Sequence, residues 1–137
     1  MDKKLSGLLM LFVLVFGLFV GFVAFNKQIS TFTRAKEELV PSSDTSLIFA
    51  WPLTAKADGN EKININVFVR NVNNLPLEGK VVSLKTNLGS LETVSATTDK
   101  SGKATFNLTS NSTGVADITA IVDNQTQLKQ TVSIKFE

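Results

Sequence analysis

The pattern of apolar and polar positions divides the chain into two regimes. From Leu5 to Phe25 the sequence reads LSGLLMLFVLVFGLFVGFVAF, without a charge and with Ser6 as the only polar side chain. At about 1.5 Å per residue, a helix over this run rises roughly 31 Å, the hydrocarbon thickness of a bilayer. Its valines and glycines would weaken a helix in water, but in lipid the backbone has no partner except itself. From Leu47 onward the period falls to two. Ile63, Ile65, Val67 and Val69 alternate with Asn64, Asn66, Phe68 and Arg70, and Ala104, Phe106 and Leu108 alternate with Thr105, Asn107 and Thr109. Ile118, Ala120 and Val122 alternate with Thr119 and Ile121, and Val132, Ile134 and Phe136 with Ser133 and Lys135. Each run predicts a strand with one face on a core. The expected core residues are Ile63, Ile65, Val67, Val69, Phe106, Leu108, Ile118, Val122, Val132 and Ile134.

Turn chemistry separates the runs. Ala57-Asp58-Gly59-Asn60, Asn73-Asn74-Leu75-Pro76, Asp99-Lys100-Ser101-Gly102, Asn111-Ser112-Thr113-Gly114 and Asp123-Asn124 supply positive φ or side-chain bonds to the backbone. About seven strands follow, near residues 46–50, 61–70, 80–86, 91–96, 103–109, 115–122 and 127–136. Short strands at this spacing, with no helical pattern among them, predict an all-β antiparallel sandwich. Phe68 and Ile121 are apolar on the nominal outer face, which places them under a loop or in a small contact surface. The organisation is then a tail (1–4), a transmembrane helix (5–25), a stalk (26–45) and a β-sandwich (46–137). In the stalk Ile29, Phe32, Lys36 and Leu39 fall near helical spacing before Pro41, so a helical stem and a flexible tether both fit.

These residues resemble the bacterial Ig-like domains of the invasin and intimin type, the group 1 family. The matching elements are Ala57-Asp58-Gly59, Asn71 through Pro76, Gly79 to Val82, and Thr86-Asn87-Leu88-Gly89-Ser90-Leu91. They continue with Thr97-Thr98-Asp99-Lys100-Ser101-Gly102-Lys103-Ala104, Leu108-Thr109-Ser110, and Gly114 followed by Asp117-Ile118-Thr119-Ala120. The likeness covers roughly residues 47–137. It implies an Ig-like sandwich at a bacterial cell surface, serving as a spacer or adhesive module. One copy on an N-terminal helix departs from the family's habit of arrays.

Composition narrows the chemistry. The chain lacks cysteine and histidine, which removes disulfides, thiolate nucleophiles, Cys/His zinc sites and the usual general base. Five basic and four acidic residues lie in 1–45, nine and eight in 46–137, and a net charge of +2 this evenly spread does not suggest nucleic acid. No catalytic set is found: the serines have no histidine partner and no GxSxG is present. The Asp99–Gly102 stretch lacks the spaced carboxylates of a calcium loop and reads as a turn. Neither a cofactor nor a metal is expected. Asn107, Asn111 and Asn124 each open a glycosylation triplet, whose use depends on the host. Trp51, before Pro52, is the only tryptophan, placed either at the base of the core or near the stalk.

The apolar run exceeds the ~7–15 residues of a signal-peptide core. A cut after Ala24 would put Phe22 where a small residue is wanted. An uncleaved anchor is therefore expected, with the lipid bilayer as its partner. Gly17 and Gly21 form a GxxxG that allows close helix approach and self-association. Lys3 and Lys4 before the span are balanced by Lys27, Arg34 and Lys36 after it, so charge does not orient the helix. The leading reading is a non-catalytic, membrane-anchored surface module with an extracellular domain that contacts a protein or a glycan. A second is a pilin-like filament subunit with the helix in the filament core, although Phe12 would stand where bacterial pilins carry Glu. A third is an accessory subunit of a membrane complex.

Overall fold

The computed structural model describes residues 2–137, the side chains of residues 24–38 excepted. The chain forms two compact units, one ending at Glu37 and the other running from Glu38 to Glu137. The first is the helix α1 (Lys3–Glu38), unbroken along its length, so the first part of the stalk has helical backbone. The side chains of Ile29, Phe32 and Lys36, whose spacing suggested a stem, lie outside the described residues. Lys3–Val23 is long and apolar enough to cross a membrane, with a mean hydropathy of 2.6, and none of it is buried against protein. Bare Leu, Val and Phe side chains in such number are unfavourable in water and favourable in lipid. The Phe12 and Phe16 rings stack one turn apart with centroids 6.1 Å from each other.

The second unit is a sandwich of two sheets. Its strands are β1 (Leu47–Trp51), β2 (Thr54–Ala55), β3 (Ile63–Phe68), β4 (Val81–Thr86), β5 (Ser90–Leu91), β6 (Ser95–Thr97), β7 (Lys103–Thr109), β8 (Gly114–Val122), β9 (Thr126–Gln127) and β10 (Val132–Phe136). One sheet has the order β1-β3-β7-β5; the other runs β2-β10-β8-β4-β6, with β9 also paired to β8. All pairings are antiparallel except β2 with β10. Ile63, Ile65, Val67, Val69, Phe106 and Leu108 are buried from the first sheet, and Ile118, Val122 and Ile134 from the second. Phe136 and Leu128 complete the layer between them.

Four features differ from the sequence reading. The single strand expected over 91–96 is two: β5 pairs with β7 in one sheet and β6 with β4 in the other. The intervening residues carry the chain across, with the Glu92 N–H donating to Asn107 O and the Leu84 N–H to Val94 O. The strand expected over 127–136 is also split, into β9 and β10. Between them Leu128 enters the core, and the Lys129 N–H donates to Ser43 O. Val132 is half-buried at the margin of the core rather than within it, since it starts β10 just past this break. Finally, the sandwich begins before residue 46. Ser42 and Ser46 are buried, the Ser42 N–H donates to Arg70 O, and Thr45 Oγ1 donates to Asn71 O.

Polar turns close the ends of the sandwich. Thr98 is buried, donating its hydroxyl to Leu77 O at 2.6 Å and accepting from the Lys80 N–H at 2.9 Å. Asp99 Oδ1 accepts from the Ser101 hydroxyl (2.6 Å), the Ser101 N–H (2.8 Å) and the Lys103 N–H (3.0 Å). Gly102 has φ 74°, and a Cβ there would lie 2.5 Å from Val69 O. Only glycine fits that approach. The buried Asn71 accepts the N–H groups of Asn73 and Leu75 on its Oδ1, tying the 71–75 loop together.

Phe106 is 1% exposed, so Phe106→Ala should cost about 3–5 kcal/mol through lost transfer energy and a cavity. Thr105→Ala, on the opposite face, should cost under about 1 kcal/mol. Denaturant melts of both variants test the register, and equal damage would show that the faces are wrongly assigned.

The Ser101 hydroxyl, followed by the Lys103 N–H, holds the Asp99 carboxyl below its ordinary value. A carboxylate with a lowered folded pKa stabilises above its unfolded value, near ~4, and loses that contribution as pH falls through the folded one. Asp99→Asn should therefore be less stable than wild type at neutral pH. The gap should narrow below about pH 4 as Asp99 itself becomes neutral. Urea midpoints followed from neutral to acid pH measure this, and a gap independent of pH would assign the loss to geometry rather than charge.

A candidate binding face on the four-stranded sheet

Because β3 and β7 turn Ile63, Ile65, Val67, Phe106 and Leu108 inward, their alternate residues must share the outer face. The register sets these out in three rows across β1, β3 and β7. Trp51 lies opposite Asn64, which lies opposite Asn107; Phe49 opposite Asn66, opposite Thr105; and Leu47 opposite Phe68, opposite Lys103. Neighbouring strands are about 4.8 Å apart, so all three rows fall within reach of one ligand.

One side of this grid is aromatic. Trp51 is 77% exposed and Phe49 49% exposed. Phe68 is half-buried on the same face, its ring edge-on to Phe49 at 6.1 Å and 72°. The pair is a diagonal cross-strand contact, which fixes the orientation of the Phe49 ring. Phe68 thus packs beneath a ring of the neighbouring strand rather than under a loop. Trp51 belongs to the exposed corner of the sheet, outside the core.

The other side is a continuous polar chain. Thr105 Oγ1 donates to Asn66 Oδ1 (3.0 Å), Asn66 Nδ2 to Asn64 Oδ1 (2.8 Å), and Asn64 Nδ2 to Asn107 Oδ1 (3.4 Å). Asn107 Nδ2 then donates to Glu92 Oε2 at 2.7 Å, and Lys62 Nζ pairs with Glu92 Oε1 at 2.8 Å. The Lys62 hydrogen bond, helped by Asn107, holds the Glu92 carboxyl below its ordinary value. The chain therefore ends in a neutralised ion pair. A row of amides of this kind offers both donors and acceptors in fixed positions, and it has no nucleophile or proton-transfer pair.

The remaining sequence candidates lie elsewhere. Gly17 and Gly21 are on α1, where an added Cβ would meet nothing within 4 Å. Ile118, Val122, Val132 and Ile134 serve the other sheet, and Ile121 is half-buried on that sheet's outer face beside Ser83 and Gln127. Asn111 and Asn124 are exposed in turns, whereas Asn107 is half-buried in the amide chain. Among the described residues, no group of three or more His, Cys, Asp or Glu side chains is placed to hold a metal ion. The amide chain was not foreseen, although its signal was present. Asn is disfavoured in strands, yet Asn64, Asn66 and Asn107 all occupy outward strand positions.

The family model for the bacterial Ig-like domain (group 1) matches residues 49–137. Among solved structures, invasin, a bacterial integrin-binding protein, is 27% identical with a TM-score of 0.65, over 71% of this chain and 20% of that one. The C-terminal 282-residue fragment of intimin, solved with the intimin-binding domain of its translocated receptor, is 26% identical with a TM-score of 0.59, over 71% and 33%. The Yersinia pseudotuberculosis adhesin InvE is 25% identical with a TM-score of 0.64, over 74% and 28%. The chain thus spans a third or less of each of these structures. No curated protein matches the sequence. These likenesses lend nothing to the pilin-like reading.

If the outer face serves binding, it should be poor for stability. Trp51→Ala should cost under about 0.5 kcal/mol, and Asn64→Thr should raise stability by up to about 1 kcal/mol through better strand propensity. Thermal melts of both variants decide this, and a loss above about 1 kcal/mol for Asn64→Thr would make the amide chain a structural device.

Proposed function

Because the chain belongs to the bacterial Ig-like domain (group 1) family, we propose that it is a membrane-anchored binding module that displays one Ig-like sandwich outside the cell and has no catalytic activity. The observation that carries the binding role is the Trp51 and Phe49 pair, exposed beside an ordered amide chain on a domain whose core is already complete. Large exposed aromatics on a finished fold mark contact surfaces, and tryptophan is the residue most enriched at their energetic centres. α1 supplies the anchor, since Lys3–Val23 is long and apolar enough to cross a membrane. The matched structures include proteins named for binding an integrin and a translocated receptor, which supports a partner presented by another surface. The open surface at Gly17 and Gly21 leaves room for a second helix, so pairing of anchors in the membrane accompanies this reading.

Two measurements on cells expressing the full chain test the reading. Alkaline carbonate should leave the protein in the membrane fraction, and protease added to intact cells should remove the sandwich while sparing α1. Release into the soluble fraction, or protection of the sandwich until the cells are lysed, would overturn it.

A further inference from the structure

The chemistry of the outer face identifies a ligand class, an inference that rests on the binding role proposed above and makes it more specific. Three properties act together. First, the aromatic side presents two rings on one face: Phe68 packs edge-on against Phe49, and the exposed Trp51 lies two residues along the same edge strand. Flat aromatic ring faces exposed in this way suit the apolar C–H face of a pyranose. Second, the adjoining side is made of neutral groups that both donate and accept. Each amide uses one donor and one acceptor within the chain and keeps a second N–H and a second oxygen lone pair, and a hydroxyl, also donor and acceptor at once, is their natural complement. Their mutual hydrogen bonds hold them in place, so little freedom is lost on binding. Third, Lys62 and Glu92 neutralise each other at the end of the chain, and the nine positions of the three rows carry a single charge, Lys103, in the outermost row.

These properties separate the candidate ligands. A nucleic acid, an anionic lipid headgroup or an acidic peptide would find no cluster of cations here. A protein partner would have to set a donor or an acceptor against each of Asn64, Asn66 and Asn107, because an amide buried without a match is costly. A saccharide covers the same amides with hydroxyls and lays its ring faces on the aromatics. We propose that the outer face of the four-stranded sheet binds a neutral glycan chain across β1, β3 and β7. Its pyranose faces stack on Trp51 and Phe49, and its hydroxyls bond to Asn64, Asn66, Thr105 and Asn107.

Trp51 is the only tryptophan and the chain has no tyrosine, so intrinsic fluorescence reports on this face alone. The full chain in dodecylphosphocholine micelles is titrated with cellohexaose, chitohexaose, laminarihexaose and mannohexaose, up to millimolar concentration. At least one should give a saturable blue shift of the Trp51 emission. Calorimetry with that sugar should show affinity reduced about tenfold or more by Trp51→Ala and by Asn66→Ala. It should be unchanged by Ser133→Ala, on the other sheet. Thermal melts confirm that each variant is folded. Absence of a shift with all four sugars, or binding that survives Trp51→Ala, overturns the glycan assignment. In that event, adhesion of expressing cells that is still lost on Trp51→Ala would leave the binding role standing with a protein partner. Adhesion indifferent to Trp51→Ala would remove the face from the binding role altogether.

Discussion

The sandwich has no covalent cross-link between its sheets, so every other feature depends on the apolar layer they share. Phe106 enters that layer from β7, Phe136 from β10 and Leu128 from the break between β9 and β10. A strand presents alternate residues to opposite faces, and a slip of one position would exchange them. Fixing Ile63, Ile65, Phe106 and Leu108 inside therefore fixes Asn64, Asn66, Thr105 and Asn107 outside, in known rows. The order of the candidate binding face is a consequence of the core, and the face requires no scaffold of its own.

The same rule explains which parts of the fold could be read from the sequence. β3, β7, β8 and β10 carry clean alternation because each has one dry face and one wet face along most of its length. Residues 91–96 carry none, because the chain changes sheets there and its inward side reverses between Leu91 and Ala96. The break at Leu128 is equally hidden: one apolar residue within an apparently continuous strand does not reveal that the backbone turns away to bond with Ser43. Ser42 and Ser46 look like linker by composition and are buried by hydrogen bonding to Arg70. Local pattern reports burial of side chains, and it is silent where backbone bonds between distant segments decide the path.

The candidate face was only partly legible. Its polar half was visible as strand residues with the wrong propensity, three asparagines where threonine or valine would serve a sheet better. Its aromatic half was not. Trp51 ends an apolar stretch, LIFAW, that suggests burial, and Ile48, its second residue, is indeed fully buried. Phe49 and Trp51 are exposed because they fall on the outer face of β1, alternating with the buried Ile48, and β1 ends its sheet with β3 as its one strand neighbour. That placement follows from tertiary pairing and has no counterpart in local sequence.

The family resemblance and the candidate face occupy different residues, and this limits what the resemblance can say. The quoted elements are turns and core. Thr86 donates its hydroxyl to Leu88 O, Thr98 bridges Leu77 and Lys80, and Asp99 and Gly102 shape the entry to β7. Each is needed to close an Ig-like sandwich whatever its surface binds, so a match there establishes the fold. Phe49, Trp51, Asn64, Asn66 and Asn107 lie outside those elements, on strands whose outward positions the core leaves free. Selection for stability alone would fill them with β-branched or charged side chains. An exposed tryptophan and three ordered amides are a poor use of that freedom for folding, and a good one for holding a ligand against a flat surface. The specific chemistry of this domain is therefore to be sought in the residues that the shared fold does not require.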